Sequence, residues 1–539
     1  MSLRIGSRFS ALYICATLAL AGFAMLAGGM PHVGWVAWPA LALTLLGLRD
    51  YLQTRHSIRR NYPILGNLRF FFEFIRPELR QYIVESDTEA RPFSRNQRSV
   101  VYQRAKGELD KVPFGTQLDL YEAGTEWITH SMAPAPVQPY DFRVVVGGPG
   151  CSAPYPASVF NISALSFGAL SANAILALNR GALGGRFAHD TGEGGISRYH
   201  REHGGDLVWE VGSGYFGCRT PEGRFDPQRF AEEARRPQVK MVEIKLSQGA
   251  KPGHGGVLPA AKVSPEIAQA RGVPARVDCI SPASHSEFST PTGLLEFVAR
   301  LRELCGGKPV GFKLCVGHPW ELFAITKAML ATGITPDFIT VDGSEGGTGA
   351  APAEFVDHVG MPLQEGLLLV HNTLVGLNLR ERIRIAASGK VITAFDIART
   401  LAIGADWCNS ARGFMFALGC VQAQHCHLDT CPSGVATQDP TRMRALVVPN
   451  KAERVAGFHR NTLRALAELI AAAGLTHPNQ LRPHHIVQRV SHNEVRLLSH
   501  MLPFLKPGDL LDAGQAERFP HKVYEIWWPR ARAESFQPG

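Results

Sequence analysis

The sequence predicts an α/β protein: a (β/α)8 TIM barrel, preceded by an N-terminal transmembrane helical hairpin and followed by a helical C-terminal extension. Three observations support this prediction. Short β-rich segments alternate with helical stretches between residues 159 and 412, two apolar runs lie before residue 50, and helical patterning resumes after residue 451. The 539 residues exceed one average domain but suit a large barrel with added elements. The predicted domains are the hairpin (1–50), a juxtamembrane connector (51–150), the barrel (151–440) and the helical extension (441–539).

The first predicted element is a pair of helices that cross a bilayer. No charged residue occurs from Ala11 to Gly29, and after a short break a second apolar run extends from Val33 to Leu48. A secretory signal peptide is the alternative for the first run, but the second run and the missing small-residue cleavage site argue against it. Arginines flank the hairpin on both sides, which predicts that both of its ends face the cytoplasm. The expected location is the inner (cytoplasmic) membrane, with the catalytic domain in the cytoplasm.

Composition limits the class of partner. The net charge is +9, but Lys and Arg are dispersed without a long basic run, so the balance favours anionic ligands and a membrane surface over nucleic acid. The ten cysteines are mostly isolated in sequence, which is typical of a reducing compartment. The 54 glycines indicate loops that approach a ligand closely.

Eight segments have the composition of barrel strands. They are short, rich in β-branched or other apolar residues, and each is followed by a loop or a helical stretch. In chain order the predicted strands are Val159–Leu165, Arg186–His189, Leu207–Val211, Val239–Leu246, Pro309–Leu314, Asp337–Val341, Arg382–Ala387 and Asp406–Asn409. Eight such units close into a barrel whose functional site lies at the carboxyl ends of the strands.

The loops after these strands contain the candidate site residues. Glycine-rich segments follow the seventh and eighth strands, at the usual phosphate position of such barrels. Lys313 ends the fifth strand; it is either a surface lysine or a cation that faces the pocket and stabilises an electron-rich flavin ring. Glu193, Lys251 and Arg271 are candidates for binding a charged substrate, although Arg271 can equally be a solvated helix residue. No G-x-G-x-x-G follows an early strand, so the sequence does not support NAD(P)H binding by this chain.

Three cysteines lie close together after the last predicted strand. Cys420, Cys426 and Cys431 are separated by spacings of six and five positions, and Pro432 follows the last of them. Thiolates on one loop suit a soft metal centre, and three without an obvious fourth are typical of a [3Fe–4S] cluster. A zinc site with His425 or His427 as the fourth ligand is the alternative, and three unligated thiols are another.

Six ordered motifs between Asn161 and Gln438 resemble the FMN-binding synthase domain of glutamate synthases, and particularly its smaller membrane-anchored members. The motifs are SALSFGALS, DTGEGG, QGAKPGHGGVLPAAKV, DGSEGGTGAAP, HNTLVGLNLRERI and GCVQAQHCHLDTCPSGVATQ. The resemblance implies that Cys420, Cys426 and Cys431 bind a [3Fe–4S] cluster and that Glu193, Lys251 and Arg271 lie near a bound 2-oxoglutarate. The positions that it assigns to FMN are Ser163, Thr191, Gln248, Lys313, Gly389 and Gly413. One departure is Ala387-Ser388-Gly389, where the family has Asp-Gly-Gly.

The activity that the resemblance implies is reduction of 2-iminoglutarate, formed from 2-oxoglutarate and ammonia, to L-glutamate. The chain shows no glutaminase segment, so ammonia is expected from elsewhere, and electrons from an external donor: a ferredoxin, an NADPH-oxidising subunit or a membrane donor. The alternatives are a related reaction on another amino or 2-hydroxy acid, such as N-methylglutamate synthesis, and a membrane electron-transfer subunit. The expected partners are thus a small 2-oxo acid, an electron donor and the lipid bilayer, without nucleic acid.

Overall fold

The structure is a computed structural model that describes residues 7–89, 91–511 and 522–539. It divides into two compact units, Met1–Pro92 and Phe93–Gly539.

The first unit is helical. Its helices are α1 (Ser10–Ala27), α2 (Gly34–Leu52), α3 (Ser57–Asn61) and α4 (Gly66–Leu79). α1 and α2 pack closely at Gly22. A Cβ at this position would lie only 2.8 Å from the Cβ of Ala37. The segments Ser10–Ala27 and Pro31–Leu52 are long and apolar enough to span a bilayer, a criterion of length and composition alone. The two predicted apolar helices are therefore present as helices.

The second unit contains the sheets and the remaining helices. Its strands are β1 (Glu126–Ile128), β2 (Arg143–Val146), β3 (Tyr155–Ser158), β4 (Phe160–Ile162), β5 (His189–Asp190), β6 (Leu207–Val211), β7 (Val239–Lys245), β8 (Val257–Leu258), β9 (Cys279–Ile280), β10 (Val310–Leu314), β11 (Phe338–Asp342), β12 (Arg384–Ser388), β13 (Trp407–Ser410), β14 (Ile486–Ser491) and β15 (Glu494–Leu497). Its helices are α5 (Arg95–Lys106), α6 (Ala172–Gly185), α7 (Arg198–Arg201), α8 (Pro227–Ala234), α9 (Pro265–Arg271), α10 (Pro291–Leu304), α11 (Pro319–Thr332), α12 (Ala353–His358), α13 (Leu363–Gly376), α14 (Ala394–Ile403), α15 (Arg412–Leu418), α16 (Pro440–Met443), α17 (Val448–Ala472), α18 (Leu498–Met501) and α19 (Lys522–Trp527).

Eight parallel strands close into a barrel in the order β4-β5-β6-β7-β10-β11-β12-β13, and β13 pairs with β4. The predicted α/β barrel is confirmed, and each predicted strand overlaps an observed one. The observed strands end one or a few residues away from the predicted bounds. For example, the first spans only Phe160–Ile162, because Ser163 already leaves the ladder and enters the loop that follows.

Local sequence explains why the barrel helices begin where they do. α8, α9 and α10 each have Pro at the first helical position, which fixes φ and needs no N–H partner. The residues before these prolines, Asp226, Ser264 and Thr290, accept hydrogen bonds from backbone N–H groups of the first turn. These caps fix where each helix starts after the loop that precedes it.

The C-terminal region packs on the outside of the barrel. The 25-residue helix α17 crosses α6 so closely that a Cβ on Gly181 would lie 2.5 Å from Val455. β1 pairs with β14, which pairs with β15, so the end of the predicted connector and the C-terminal extension form one small antiparallel sheet.

Candidate active site at the carboxyl ends of the barrel strands

A cleft opens where the barrel strands end. The residues that line it come from the ends of β4, β7, β10, β11, β12 and β13, together with Phe93. They are Phe93, Ser163, Ala164, Gln248, Lys313, Asp342, Gly346, Gly347, Ser388, Gly389, Lys390, Val391, Ile392, Asn409, Ser410, Ala411 and Arg412.

Four of the six residues predicted to contact FMN line this cleft: Ser163, Gln248, Lys313 and Gly389. The other two, Thr191 and Gly413, are not among the residues that line the cleft. Thr191 is fully buried and accepts a hydrogen bond from the N–H of Glu210 at 3.1 Å. Gly413 lies in the first turn of α15, where a Cβ would meet the Ser410 hydroxyl at 2.6 Å. Both positions support the loops around the cleft without lining it.

Charged side chains fill the barrel interior below the cleft. The Lys313 ammonium pairs with the carboxylates of Glu210 and Glu243, the second at 3.4 Å. Thr340 donates to Glu243 at 2.5 Å. Burial raises the pKa of Glu243 well above its usual range, and the nearby charge of Asp190 adds to the effect; burial also raises the pKa of Asp190. Burial therefore disfavours the charged form of both carboxyls.

Asp190, Glu210 and Glu243 are also the one group of potential metal ligands, among the residues the structure describes, whose ligand atoms all lie within 4.8 Å of one another. The Lys313 ammonium already pairs with two of these three carboxylates, Glu210 and Glu243. The arrangement is thus an internal ion-pair network that fixes Lys313 at the floor of the cleft.

One end of the cleft suits a phosphate. Arg412 begins α15, directly after β13, and donates to the carbonyl oxygen of Glu345 at 2.7 Å, with its guanidinium 4.8 Å from the centre of the Phe93 ring. Burial lowers the pKa of Arg412 to about 10, so it remains cationic at neutral pH. Gly389 has φ +147, a backbone conformation that favours glycine and exposes the N–H groups after β12.

A carboxylate holds the loops of this end together. Asp342 at the end of β11 accepts a hydrogen bond from the N–H of Gly249 at 2.6 Å and another from the hydroxyl of Ser388. A Cβ on Gly249 would lie 1.7 Å from the carbonyl oxygen of Gly343, so the two loops touch backbone to backbone. Ser388, the residue that departs from the family pattern, therefore has a structural partner in Asp342.

Next to the cleft, four charged side chains form what we call the charged cluster: Glu193, Lys245, Lys251 and Arg271. Glu193 and Lys245 form an ion pair at 3.0 Å, and Glu193 is packed against the backbone of Gly256. Burial raises the pKa of Glu193, but the charges of Lys245, Arg271 and Lys251 outweigh it and hold that pKa below its usual range. Glu193 is therefore ionised at neutral pH.

Lys251 and Arg271 have unused hydrogen-bonding capacity. Lys251 is only 3% exposed, and within the described residues its ammonium has no hydrogen-bond or ion-pair partner. Arg271 is 4% exposed and donates to the carbonyl oxygen of Phe167 at 3.2 Å, while its buried Nε has no partner among the described residues. Buried cations in this state favour an anionic ligand.

The three cysteines lie on the irregular loop that follows α15. Tyr102 donates to the carbonyl oxygen of Cys420 at 2.6 Å, and Gln422, Gln424 and Asp429 adopt positive φ angles of 58, 59 and 61°. Positive φ at three non-glycine residues in one loop is uncommon and needs support from the surrounding structure.

The spacing of the sulfurs bears on the metal. The sulfurs of Cys420, Cys426 and Cys431 do not all lie within 4.8 Å of one another, since this set is absent from the groups that do. A tetrahedral zinc with Zn–S bonds of about 2.3 Å holds its sulfurs roughly 3.8 Å apart. In this structure the three thiols are therefore not arranged as ligands of one tetrahedral zinc ion.

The thiols differ in their surroundings. Burial raises the pKa of Cys420 to about 12 and, together with repulsion from Cys431, raises the pKa of Cys426. Burial also raises the pKa of Cys431, but hydrogen bonds from Ser433 and from neighbouring backbone groups outweigh it and lower that pKa below its usual value. Hydrogen bonds to sulfur are a common feature of iron–sulfur loops.

The cysteine loop rests directly on the loop between β4 and α6. The Ser171 hydroxyl donates to the carbonyl oxygen of Gly434 at 2.7 Å, and the Gln438 amide donates to the carbonyl oxygens of Gly168 and Leu170 at 3.1 and 2.9 Å. The same β4–α6 loop begins at Ser163, which lines the cleft. One short segment therefore connects the cysteines to the candidate flavin site.

A family model described as a conserved region in glutamate synthase matches residues 153–476, more than half of the chain. The chain belongs to the glutamate synthase family. The matched region contains the whole barrel, the charged cluster and the cysteine loop.

The chain is similar to several known proteins. It is 38% identical over 498 residues to the glutamate synthase large subunit-like protein YerD of Bacillus subtilis, and the match covers 85% of this chain and 94% of that protein. It is 34% identical over 321 residues to the archaeal-type glutamate synthase [NADPH] of Thermotoga neapolitana, covering 59% of this chain and 60% of that protein. A solved structure of a flavocytochrome b2 variant with pyruvate bound covers 77% of this chain and 85% of its own, with 12% identity and a TM-score of 0.41.

Within this glutamate synthase-type barrel, three side chains had no role assigned from the sequence: Lys245, Asp342 and Lys262. Lys245 had a detectable signal, because Glu243 and Lys245 are two residues apart on a mostly apolar strand and so share a face. Asp342 and Lys262 lie inside the quoted motifs, but their partners are 46 residues or more away in the chain. No local pattern reveals contacts of that range.

Proposed function

We propose that the protein is an oxidoreductase of the glutamate synthase type that uses FMN and a [3Fe–4S] cluster to reduce 2-iminoglutarate to L-glutamate. The observation that carries this proposal is the charge balance of the charged cluster. Lys245, Lys251 and Arg271 contribute three cations and Glu193 one anion, so two positive charges remain uncompensated. A ligand with two carboxylates, such as 2-oxoglutarate, supplies the matching charge.

The cleft residues fit FMN. Arg412 and the backbone after Gly389 suit the phosphate, and Lys313 at the floor suits the electron-rich edge of a flavin ring. Bound FMN would supply hydride transfer to the imine carbon of the substrate. The ion pairs of Lys313 with Glu210 and Glu243 fix its ammonium, so that its position does not depend on the ligand.

Cys420, Cys426 and Cys431 fit a [3Fe–4S] cluster in ligand number and in ligand type. The sulfurs are too widely spaced for a preformed mononuclear zinc site, and Ser433 already offers a hydrogen bond to Cys431 at 3.4 Å. Their loop contacts the β4–α6 loop that reaches the cleft, so the cluster would lie on the side from which electrons enter.

The proposed roles in substrate binding follow from hydrogen-bond donors that have no partner among the described residues. Lys251 and the unused Nε of Arg271 would pair with the two carboxylates and fix the position of the substrate carbon that reacts. Glu193 would orient the nitrogen, because an ionised carboxylate accepts hydrogen bonds from ammonia or from an iminium. Lys245 would keep Glu193 in place through their 3.0 Å ion pair.

A single-turnover experiment tests the reaction. The full chain is purified anaerobically in mild detergent, reduced with a limiting amount of dithionite, and mixed with 2-oxoglutarate and ¹⁵N-ammonium. We expect reoxidation of the flavin absorbance together with ¹⁵N-glutamate in equal amount. Flavin that stays reduced, while the same sample is reoxidised by an artificial acceptor, would contradict the substrate assignment.

We also propose that α1 and α2 anchor the protein in the inner membrane with the barrel in the cytoplasm, next to a membrane-associated electron donor. The length and apolar character of both segments support this proposal. Their flanking arginines support the orientation.

A further inference from the structure

Lys262 lies between the cysteine loop and the charged cluster, and the proposed reaction gives it no role. It ends a short 3-10 turn, Ala260–Lys262, just before α9, the helix that ends at Arg271. The residue is 2% exposed. A lysine this deeply buried is unusual unless its charge is compensated.

The Lys262 ammonium is bound by carbonyl oxygens alone. It donates to Ala169 at 2.7 Å, Cys426 at 3.3 Å and Ala436 at 3.4 Å. These three bonds use all the donors of an ammonium group. They join the β4–α6 loop to both arms of the cysteine loop, so Lys262 links the three segments at one point.

The charge of Lys262 is not matched by a contacting carboxylate. Among residues 7–89, 91–511 and 522–539 it forms no ion pair, and Asp429 acts on it only from farther away. Arg271, a like charge, opposes it, while the thiols of Cys426 and Cys431, the proposed cluster ligands, also lie close enough to act on it. A buried ammonium without an adjacent anion is costly, because carbonyl dipoles replace only part of its hydration.

We propose that Lys262 is a positioning residue whose ammonium is the buried counter-ion of the iron–sulfur cluster, and that its charge raises the reduction potential of that cluster. This inference rests on the proposed cluster at Cys420, Cys426 and Cys431. Such a cluster with three thiolates has a net negative charge that becomes more negative on reduction, so a nearby fixed cation favours the reduced form. The same ammonium ties the cluster loop to the β4–α6 loop that leads to the cleft.

Two substitutions separate charge from shape. Lys262→Met removes the charge and keeps most of the length, whereas Lys262→Arg keeps the charge. Lys308→Met is a matched control, because Lys308 also donates to two carbonyl oxygens, those of Ala234 and Arg236 at 2.7 Å, at the opposite end of the barrel. The readouts on anaerobic full-length protein are iron per chain, the melting temperature, and the midpoint potential of the cluster from an EPR-monitored redox titration.

We expect Lys262→Met to shift the reduction equilibrium of the cluster at least about tenfold toward the oxidised form, about 59 mV for one electron. Lys262→Arg and Lys308→Met should keep the wild-type potential. An unchanged potential in Lys262→Met with full iron content would overturn the proposal. If Lys262→Met loses iron, retention of iron by Lys262→Arg supports the counter-ion role, and loss in both variants overturns it. Wild-type protein without iron would instead refute the proposed cluster itself, so the two failures are distinguishable.

Discussion

At the scale of single residues, the site is defined by where buried charges are left unbalanced. Glu193 and Lys245 form a pair, whereas Lys251 has no partner within the described residues and Arg271 keeps a free Nε. Unpaired buried charges lower the stability of a protein unless a bound ligand compensates them. Binding of a ligand can be tested directly on Lys251, since its replacement removes no side-chain hydrogen bond or ion pair among the described residues.

Replacing Lys251 by Met should weaken binding of 2-oxoglutarate without loss of fold. Removing one partner of a buried charge pair typically costs about 2 kcal/mol or more, so the dissociation constant should rise by roughly 30-fold or more. The measurement is a titration of the flavin absorbance with 2-oxoglutarate, with the melting temperature as a check on folding. Lys308→Met serves as the control, and equal affinity in Lys251→Met and wild type would argue against a substrate role.

The binding of 2-oxoglutarate should also depend on pH through Lys251. Burial lowers the pKa of its ammonium, so the group loses its proton at a lower pH than an exposed lysine. A neutral amine does not attract a carboxylate, and affinity should therefore fall with rising pH before ordinary lysines titrate. In Lys251→Arg this loss should move to higher pH, because arginine stays protonated. A pH profile that is the same in both proteins would exclude Lys251 as its origin.

Glu193 and Lys251 lie in glycine-rich segments after predicted strands, where charged residues are conspicuous, and with Arg271 they stay predicted substrate contacts. Sequence patterns assigned no role to Lys245 and Lys262, whose functions depend on contacts between distant segments. The Lys262 ammonium, for instance, meets the carbonyl oxygens of Ala169 and Ala436, which are 93 and 174 residues away in the chain. Residue type and local spacing do not encode such contacts.

At the scale of elements, the carboxyl ends of the strands touch through glycine backbones. Gly249, in the loop after β7, lies against Gly343 in the loop after β11, and Asp342 accepts the Gly249 N–H. The strand positions themselves were predictable, since apolar β-rich segments stand out between helices. Their ends were not: Ser388 was placed outside its strand, but it extends β12 because it pairs with Asp342 in the parallel ladder.

Gly249→Ala should disturb the loops of the cleft. The new Cβ would lie 1.7 Å from the Gly343 carbonyl oxygen, so the loops after β7 and β11 must separate. We expect a loss of about 1–3 kcal/mol in the free energy of unfolding, as for other overpacked sites, together with less bound flavin per chain.

The matched control is Gly184→Ala in α6, where no atom lies within 4 Å of the new Cβ. It should leave flavin content unchanged and be neutral or slightly stabilising. Thermal unfolding and the ratio of flavin to protein absorbance measure both effects. Wild-type flavin content and stability in Gly249→Ala would contradict the close contact of the two loops.

At the scale of the whole molecule, a barrel of the glutamate synthase family is combined with two apolar N-terminal helices. The composition of these segments made their helices predictable. Their length and apolar character support the proposed membrane anchor, which fractionation tests. The full chain should remain in the membrane pellet after extraction with alkaline carbonate and dissolve in mild detergent.

Introducing arginines at Leu18 and Leu20 of α1 should release part of the protein into the soluble fraction. Each arginine near the centre of a spanning helix costs about 2.5–3.5 kcal/mol of insertion. Leu183→Arg, at a half-exposed position of α6, is the control and should leave the distribution unchanged. A wild-type protein that alkaline carbonate extracts completely would contradict the anchor.

The most direct test of the central claim is cofactor analysis of anaerobically purified full-length protein. We expect FMN as the flavin released by acid, about three irons and about four labile sulfides per chain, and an EPR signal of the oxidised cluster. The triple variant Cys420→Ser, Cys426→Ser, Cys431→Ser should lose the iron and keep the flavin. Well-folded protein that is colourless, or that contains zinc in place of iron, would contradict the account.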